Sequence, residues 1–313
     1  MNTPNLSIRQ GRLYILDMGL RDYPELSGRI LTCFPDGSGL ETLISSLKNM
    51  PDGIAIDSQR EHIYWIDAGV GAENDGSIHR CSLTGQDDVT IVPVGITHTP
   101  KQMVIAGASE KMYWSDREGM QVMRSDLDGT KIEILVRTGR TAEDKGNAEN
   151  WCVGIAVDEE KGLMYWTQKG PSKAGKGRIF RARTTMPEGE TPDNRGDIEV
   201  LFDMLPEPID LELDTKRQIL YWTDRGEVPF SNSVNRTNLE WKNENGGLKR
   251  EILVRKLHEG IGIALDLENE RMFFGDLMGS IYSANLDGTN KACILEDMGD
   301  VTGIAYLSTE NLF

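Results

Sequence analysis

The residues of this chain best suited to chemistry are a spaced set of cations, histidines and one tryptophan. Arg117, Lys169 and Arg225 each directly follow a recurring four-residue block that opens on an aromatic residue, and Met278 stands just after a fourth copy. His98, Asn150, Trp151 and His258 precede a second recurring block. Guanidinium and ammonium groups at equivalent points of a repeat would aim N–H donors at an oxygen-bearing substrate, and an imidazole could exchange a proton. His98, Lys169 and Arg225 are therefore the candidate catalytic residues. Trp151, Asn150, Arg117, His258, Met278, Phe230 and Tyr23 would supply aromatic, apolar and amide surface, as expected of a pocket for a hydrophobic small molecule with a polar head. Blander readings stand beside these: His98 and His258 as ordinary loop histidines, Trp151 as a plug in a channel mouth, and the cations as solvated loop ends. No G-x-S-x-G, H-E-x-x-H, Walker or dinucleotide glycine pattern is present, so neither nucleophile, metal nor cofactor has a sequence warrant.

The elements that must position these residues are set by repetition. One block recurs as Tyr14 to Asp17, Tyr64 to Asp67, Tyr113 to Asp116, Tyr165 to Gln168, Tyr221 to Asp224 and Phe273 to Asp276, at spacings of 50, 49, 52, 56 and 52. Eleven residues upstream of the aromatic position in most copies begins a second block, Gly-Ile-Ala-x-Asp, clearest at Gly53, Gly154 and Gly262. A third run ends in a Leu-Asp-Gly turn, as at Leu127 and Leu286. Each repeat reads as four short strands, and a period near 50 of this kind predicts an all-β, six-bladed propeller of four-stranded antiparallel blades. The chain opens on a second-strand block and closes on Thr302 to Tyr306, a first-strand block. The C-terminal segment is therefore expected to form the inner strand of the blade built from residues 12 to 46, closing one ring over residues 1–313.

Connection lengths assign a working face. Asp57 to His62, Asp266 to Arg271 and most Asp-Gly turns are tight, whereas Met18 to Gly28, Ala68 to Gly76, Thr138 to Asn150, Lys169 to Gly177 and Arg225 to Asn232 expand. The long set emerges on one face of a propeller, where binding usually resides. The formal charge of −16 argues against nucleic acid and anionic membrane as partners. The first twenty residues carry neither a basic n-region nor a long apolar run, which makes a cytoplasmic location the expectation. Cys33, Cys81, Cys152 and Cys293 form no C-x-x-C pair and read as buried thiols.

The Tyr-Trp-Thr-Asp block, the Gly-Ile-Ala-x-Asp strand and the Leu-Asp-Gly turn together resemble the YWTD six-bladed propellers of the low-density-lipoprotein-receptor group, over essentially the whole chain. Gln168, Phe273 and Phe274 depart from the block. The resemblance implies structural roles for the recurrent Asp and aromatic residues. A free-standing propeller further resembles the hetero-Diels–Alderases of tropolonic sesquiterpenoid biosynthesis. That likeness implies a cofactor-independent cyclase: a hydroxylated tropolone loses water to give a quinone methide, which adds across an alkene of a humulene-type partner. Two other readings remain open. One is an intracellular protein-binding scaffold, which a broad flat apolar patch would support. The other is a calcium-dependent lactonase, for which Asp52, Asn150, Glu259 and Asp300 are the candidate oxygen ligands.

Overall fold

β-Branched and aromatic runs punctuated by Gly and Asp-Gly favour strands joined by tight turns. In the computed structural model, which describes residues 11–308 apart from 72, 228 and 230, those runs build six four-stranded antiparallel sheets. Their inner strands are Pro51–Asp57, Pro100–Ala106, Cys152–Asp158, Pro208–Asp214, Gly260–Asp266 and Val301–Ser308. Each inner strand packs beside those of both neighbouring sheets, so the six form a closed ring around a channel. Glycine at the third position of four of them permits this approach: a Cβ on Gly53 would strike the Lys101 carbonyl, and one on Gly154 the Ile209 carbonyl.

The recurring block interlocks the blades. Its first aromatic residue faces the following blade and its second faces the preceding one, so that Tyr64 and Trp114, Tyr113 and Trp166, Tyr165 and Trp222, and Tyr14 and Trp65 share four inter-blade clusters. Tyr221 and Phe274 do the same at a fifth seam. At the sixth, Ile15 holds the tryptophan position opposite Phe273, and Tyr306 stacks on Phe273 with centroids 5.6 Å apart. Closure follows the expected scheme: Val301–Ser308 pairs antiparallel with Gly11–Asp17, placing Leu13 opposite Tyr306 and Leu16 opposite Gly303.

One expectation needs correction, that of Cys293, and two features add to the reading. The Thr138 to Asn150 connection contains a short helix, Ala142–Gly146, started by a reciprocal Thr141–Asp144 capping box rather than by an apolar period. Cys293 is exposed, whereas Cys33, Cys81 and Cys152 are buried. The face of tight turns is also not uniformly trimmed, because residues 184–198 and 239–250 extend there between outer strands. Among the described residues no helix is long and apolar enough to cross a membrane.

The half of the channel nearer those turns encloses about 230 Å³. The fifth residues of the inner strands are Ala55, Val104, Ala156, Ala264 and Ala305, but Glu212 in the remaining blade. Burial, reinforced by Asp210, pushes the Glu212 carboxyl up to about 8, and burial raises Asp210 to about 7 against the N–H groups of Ile263 and Leu211. A raised carboxyl holds in the folded state a proton that the unfolded chain releases near pH 4.3. Its contribution is thus fully present below that pH and is lost as pH rises through about 8.

Two outcomes are expected. Glu212→Gln should match the wild type in thermal stability near pH 4 and exceed it at pH 9 by at least about 1 kcal/mol, read as the difference between the two melting curves. Removing residues 301–313 should abolish the cooperative transition by exposing the edge of Gly11–Asp17 and opening the ring, whereas Trp222→Ala should keep the transition and cost about 3–5 kcal/mol in denaturant unfolding. An unchanged midpoint in the truncated chain would contradict the closure.

Candidate functional site

The same backbone bond repeats at the mouth of the channel in all six blades. The residue after the second strand donates its N–H to the carbonyl of the residue just before the inner strand: Met18 to Asp300, Ala68 to Met50, Arg117 to Thr99, Lys169 to Trp151, Arg225 to Glu207 and Leu277 to Glu259, at 2.9–3.3 Å. The block aspartates clasp the same connections. Asp116 accepts from the backbone N–H groups of His98 and Thr99 (2.7 and 2.8 Å), Asp17 from Asp300, Asp224 from Glu207 and Asp276 from His258. Gln168 reverses the polarity, its amide donating to the Glu149 carbonyl at 2.9 Å.

This framework builds a cavity of about 280 Å³ on the face of long connections. Its deeper ring consists of the second residues of the inner strands: Thr302, Asp52 and Lys101 on one side, Val153, Ile209 and Ile261 on the other. Its upper ring includes Met18, Arg117, Lys169, Arg225 and Leu277, with Leu20 and Met50 at the edge. Val153, Ile209 and Ile261 pack as one apolar cluster with Leu277 against it. The two rings are therefore offset: in the deeper ring Val153, Ile209 and Ile261 stand opposite Thr302, Asp52 and Lys101, and in the upper ring Arg117, Lys169 and Arg225 stand opposite Leu277 and Met18.

Each cation is held. Lys101 Nζ lies 2.6 Å from Asp52, which also accepts from Gln102 at 3.2 Å. Glu207, almost wholly buried, accepts from Lys169 Nζ at 2.9 Å and Arg225 at 2.8 Å. Arg117 pairs with buried Glu118 at 2.6 Å. Burial lowers the pKa of Lys169, opposed by Glu207, and of Lys101, opposed by Asp52. The Trp151 ring lies against the Arg117 guanidinium and the Lys169 ammonium, at 5.0 and 5.4 Å from its centroid. Its indole N–H donates to the Lys145 carbonyl at 2.8 Å, which fixes the ring to the short helix.

Of the candidates, Arg117, Lys169 and Arg225 converge on the cavity and Trp151 buttresses two of them. The others fall elsewhere. His98 lines a separate cavity of about 490 Å³, where its Nε2 accepts from Lys145 at 2.6 Å and its Nδ1 meets Thr99 Oγ1 at 2.9 Å. Asn150 spends its amide on the Asp144 carbonyl inside its own loop. His258 is exposed and anchored through its backbone. Met278 is 64% exposed because Leu277, one residue earlier, takes the upper-ring position. Tyr23 is 73% exposed, and its loop contributes Met18 and Leu20 instead. Phe230 lies outside the described residues.

Asp52, Asn150, Glu259 and Asp300 do not assemble as calcium ligands: Asp52 is paired with Lys101, Glu259 lies 3.6 Å from Arg225, and Asp300 accepts from the Arg21 backbone. Among the described residues no group of three or more His, Cys, Asp or Glu is placed to hold a metal. Lys101 and Glu207 are the site residues that sequence reasoning missed. Aligning the second residue of each inner strand across the repeats would have found Lys101; Glu207 shares the position of Trp151, directly before an inner strand, but nothing in the sequence marks its pairing with two cations.

No protein-family model matches the chain. It is 39% identical to the 3-hydroxyacyl-CoA dehydrogenase-like protein LAM1 of Cochliobolus heterostrophus over 94% of its own length, and spans 64% of that protein. Among solved structures it resembles a chain of a nidogen/laminin complex, with a TM-score of 0.72 over 96% of this chain and 99% of that one, at 17% identity. It is 46% identical to the low-density lipoprotein receptor-related protein 1 of the fungus Pyricularia oryzae over 95% of its length and 98% of that protein's. The chain belongs to the family of that fungal low-density lipoprotein receptor-related protein 1.

Proposed function

We propose that the channel mouth is a small-molecule site and that the protein is a cofactor-independent cyclase of the hetero-Diels–Alderase type. The observation that carries the reading is one cavity lined by an apolar cluster, Val153, Ile209, Ile261 and Leu277, and by a donor flank, Arg117, Lys169 and Arg225, that shares two of the cluster's three blades. Such a surface orients a molecule with an oxygenated head and a hydrocarbon body. Protein capture would need a flat patch, whereas this site is a recess over the channel.

In the cyclase reading, loss of water from a hydroxylated tropolone yields a quinone methide. The methide and an alkene then form two bonds together, with nothing leaving. The cations would stabilise charge gathering on the tropolone oxygens as those bonds form. At about 280 Å³ the cavity is at the small end for organic ligands, so it would enclose the tropolone head while the humulene-type partner lies at the open edge, over Met18 and Leu20. Holding both replaces the entropy of a bimolecular encounter, and restricting their relative pose gives selectivity. The dehydrogenase-like name of one relative does not carry over, because all 24 described strands belong to antiparallel blades and none to a nucleotide-binding βαβ unit.

Incubating the protein with a hydroxymethyl-tropolone precursor and a humulenol-type alkene should change both the rate and the product ratio relative to a protein-free control, with or without chelator. An identical product ratio would remove the cyclase reading. Trp151→Ala should reduce the rate at least about tenfold, as expected when a positioning surface is lost, while the melting midpoint stays within a few degrees.

A further inference from the structure

We infer that the molecule taken by this site is a singly charged organic oxyanion, a reading that deepens the small-molecule assignment above and rests on it. Among the described residues, the cavity wall carries four cationic side chains, Lys101, Arg117, Lys169 and Arg225, and one carboxylate, Asp52. That is the reverse of a chain whose formal charge is −16. Asp52 is neutralised by Lys101 at 2.6 Å. The carboxylates that balance the rest, Glu118 and Glu207, are 6% and 2% exposed and do not line the wall.

The arithmetic then leaves one charge. Arg117, Lys169 and Arg225 answer to Glu118 and Glu207, an excess of a single positive charge on the donor flank. Glu259 approaches Arg225 only to 3.6 Å, with its side chain 54% exposed and off the wall. The Nε–H of Arg225 is buried with no protein acceptor, so Glu207 leaves this guanidinium incompletely satisfied. A dianion would overfill this balance, and a small inorganic anion would leave Val153, Ile209, Ile261 and Leu277 uncovered. A neutral molecule would leave the excess charge unanswered in a recess where water is a poor substitute for a fixed counter-charge. One carboxylate, enolate or tropolonate group on an apolar body meets all three conditions.

Calorimetric titration of the full chain with matched probes tests this: tropolonate against 2-methoxytropone, and benzoate against methyl benzoate, at a pH where the acids are ionised, with inorganic phosphate as the anion that lacks an apolar body. At least one anion should bind ten-fold or more tightly than its neutral partner, and phosphate should bind more weakly than that anion. Arg225→Gln and Arg117→Gln should each weaken the anion by about ten-fold while leaving the neutral probe within two-fold. The wild-type comparison stands even if one variant folds poorly. Neutral probes binding as tightly as the anions would overturn the charge assignment and leave the small-molecule site standing. Phosphate binding as tightly as the organic anions would overturn the apolar requirement. Failure of every probe would overturn both this inference and the reading it rests on.

Discussion

Everything in this molecule depends on the seams between blades. A four-stranded sheet of this size has two apolar faces and cannot bury either by itself, so each blade is stable only while both neighbours are in place. The Tyr-Trp pair solves this with adjacent residues of one strand, since neighbouring side chains in a strand point to opposite faces. Trp65, Trp114, Trp166 and Trp222 are each at most 1% exposed, and every one of them faces the aromatic residue of the preceding blade. A ring built this way has no free end to begin unravelling from, provided the last seam closes. The last seam is the least regular, with Ile15 in the tryptophan position, and there Tyr306 from the final strand supplies the missing ring.

Once the seams fix the blades, the channel mouth is fixed as well. The six backbone bonds between the end of each second strand and the start of each inner strand hold twelve chain positions at set radii, whatever side chains they carry. This separates scaffold from chemistry. Side chains at the ring positions can vary without disturbing the bonds that place them, because those bonds are made by the backbone. The long connections then decide how the mouth is walled. The Ala142–Gly146 helix and the indole bond of Trp151 to Lys145 bring an aromatic surface against two cations that the repeat had already placed.

How much of this was legible in the sequence follows from the same separation. The block spacing is a direct consequence of inter-blade packing, so it revealed blade number, strand order and closure by the C-terminal strand beside Gly11–Asp17. Arg117, Lys169 and Arg225 were legible because they sit at a fixed offset from that block. Met278 was misread because the offset was taken one residue too far, where Leu277 belongs. His98 and Asn150 were misread for a different reason: their side chains are consumed by a loop fold that no repeat encodes. Glu207 was invisible because its role depends on two cations from different blades meeting at one buried carboxylate.

The repeat also supplies its own controls on whether the charges at the mouth are there for stability. At the upper-ring position three blades carry Arg117, Lys169 and Arg225, and the other three carry Met18, Ala68 and Leu277, with the same backbone bond in all six. At the deeper ring Val153, Ile209 and Ile261 occupy the position that Asp52, Lys101 and Thr302 occupy opposite. The fold therefore accepts an apolar residue at either ring. A buried ion pair such as Lys169 with Glu207 carries a desolvation cost that a hydrophobic pair of similar volume would avoid, so stability alone favours replacing it. Charges that the scaffold does not require, gathered in three successive blades beside an apolar cluster in one cavity, are what the proposed ligand would answer.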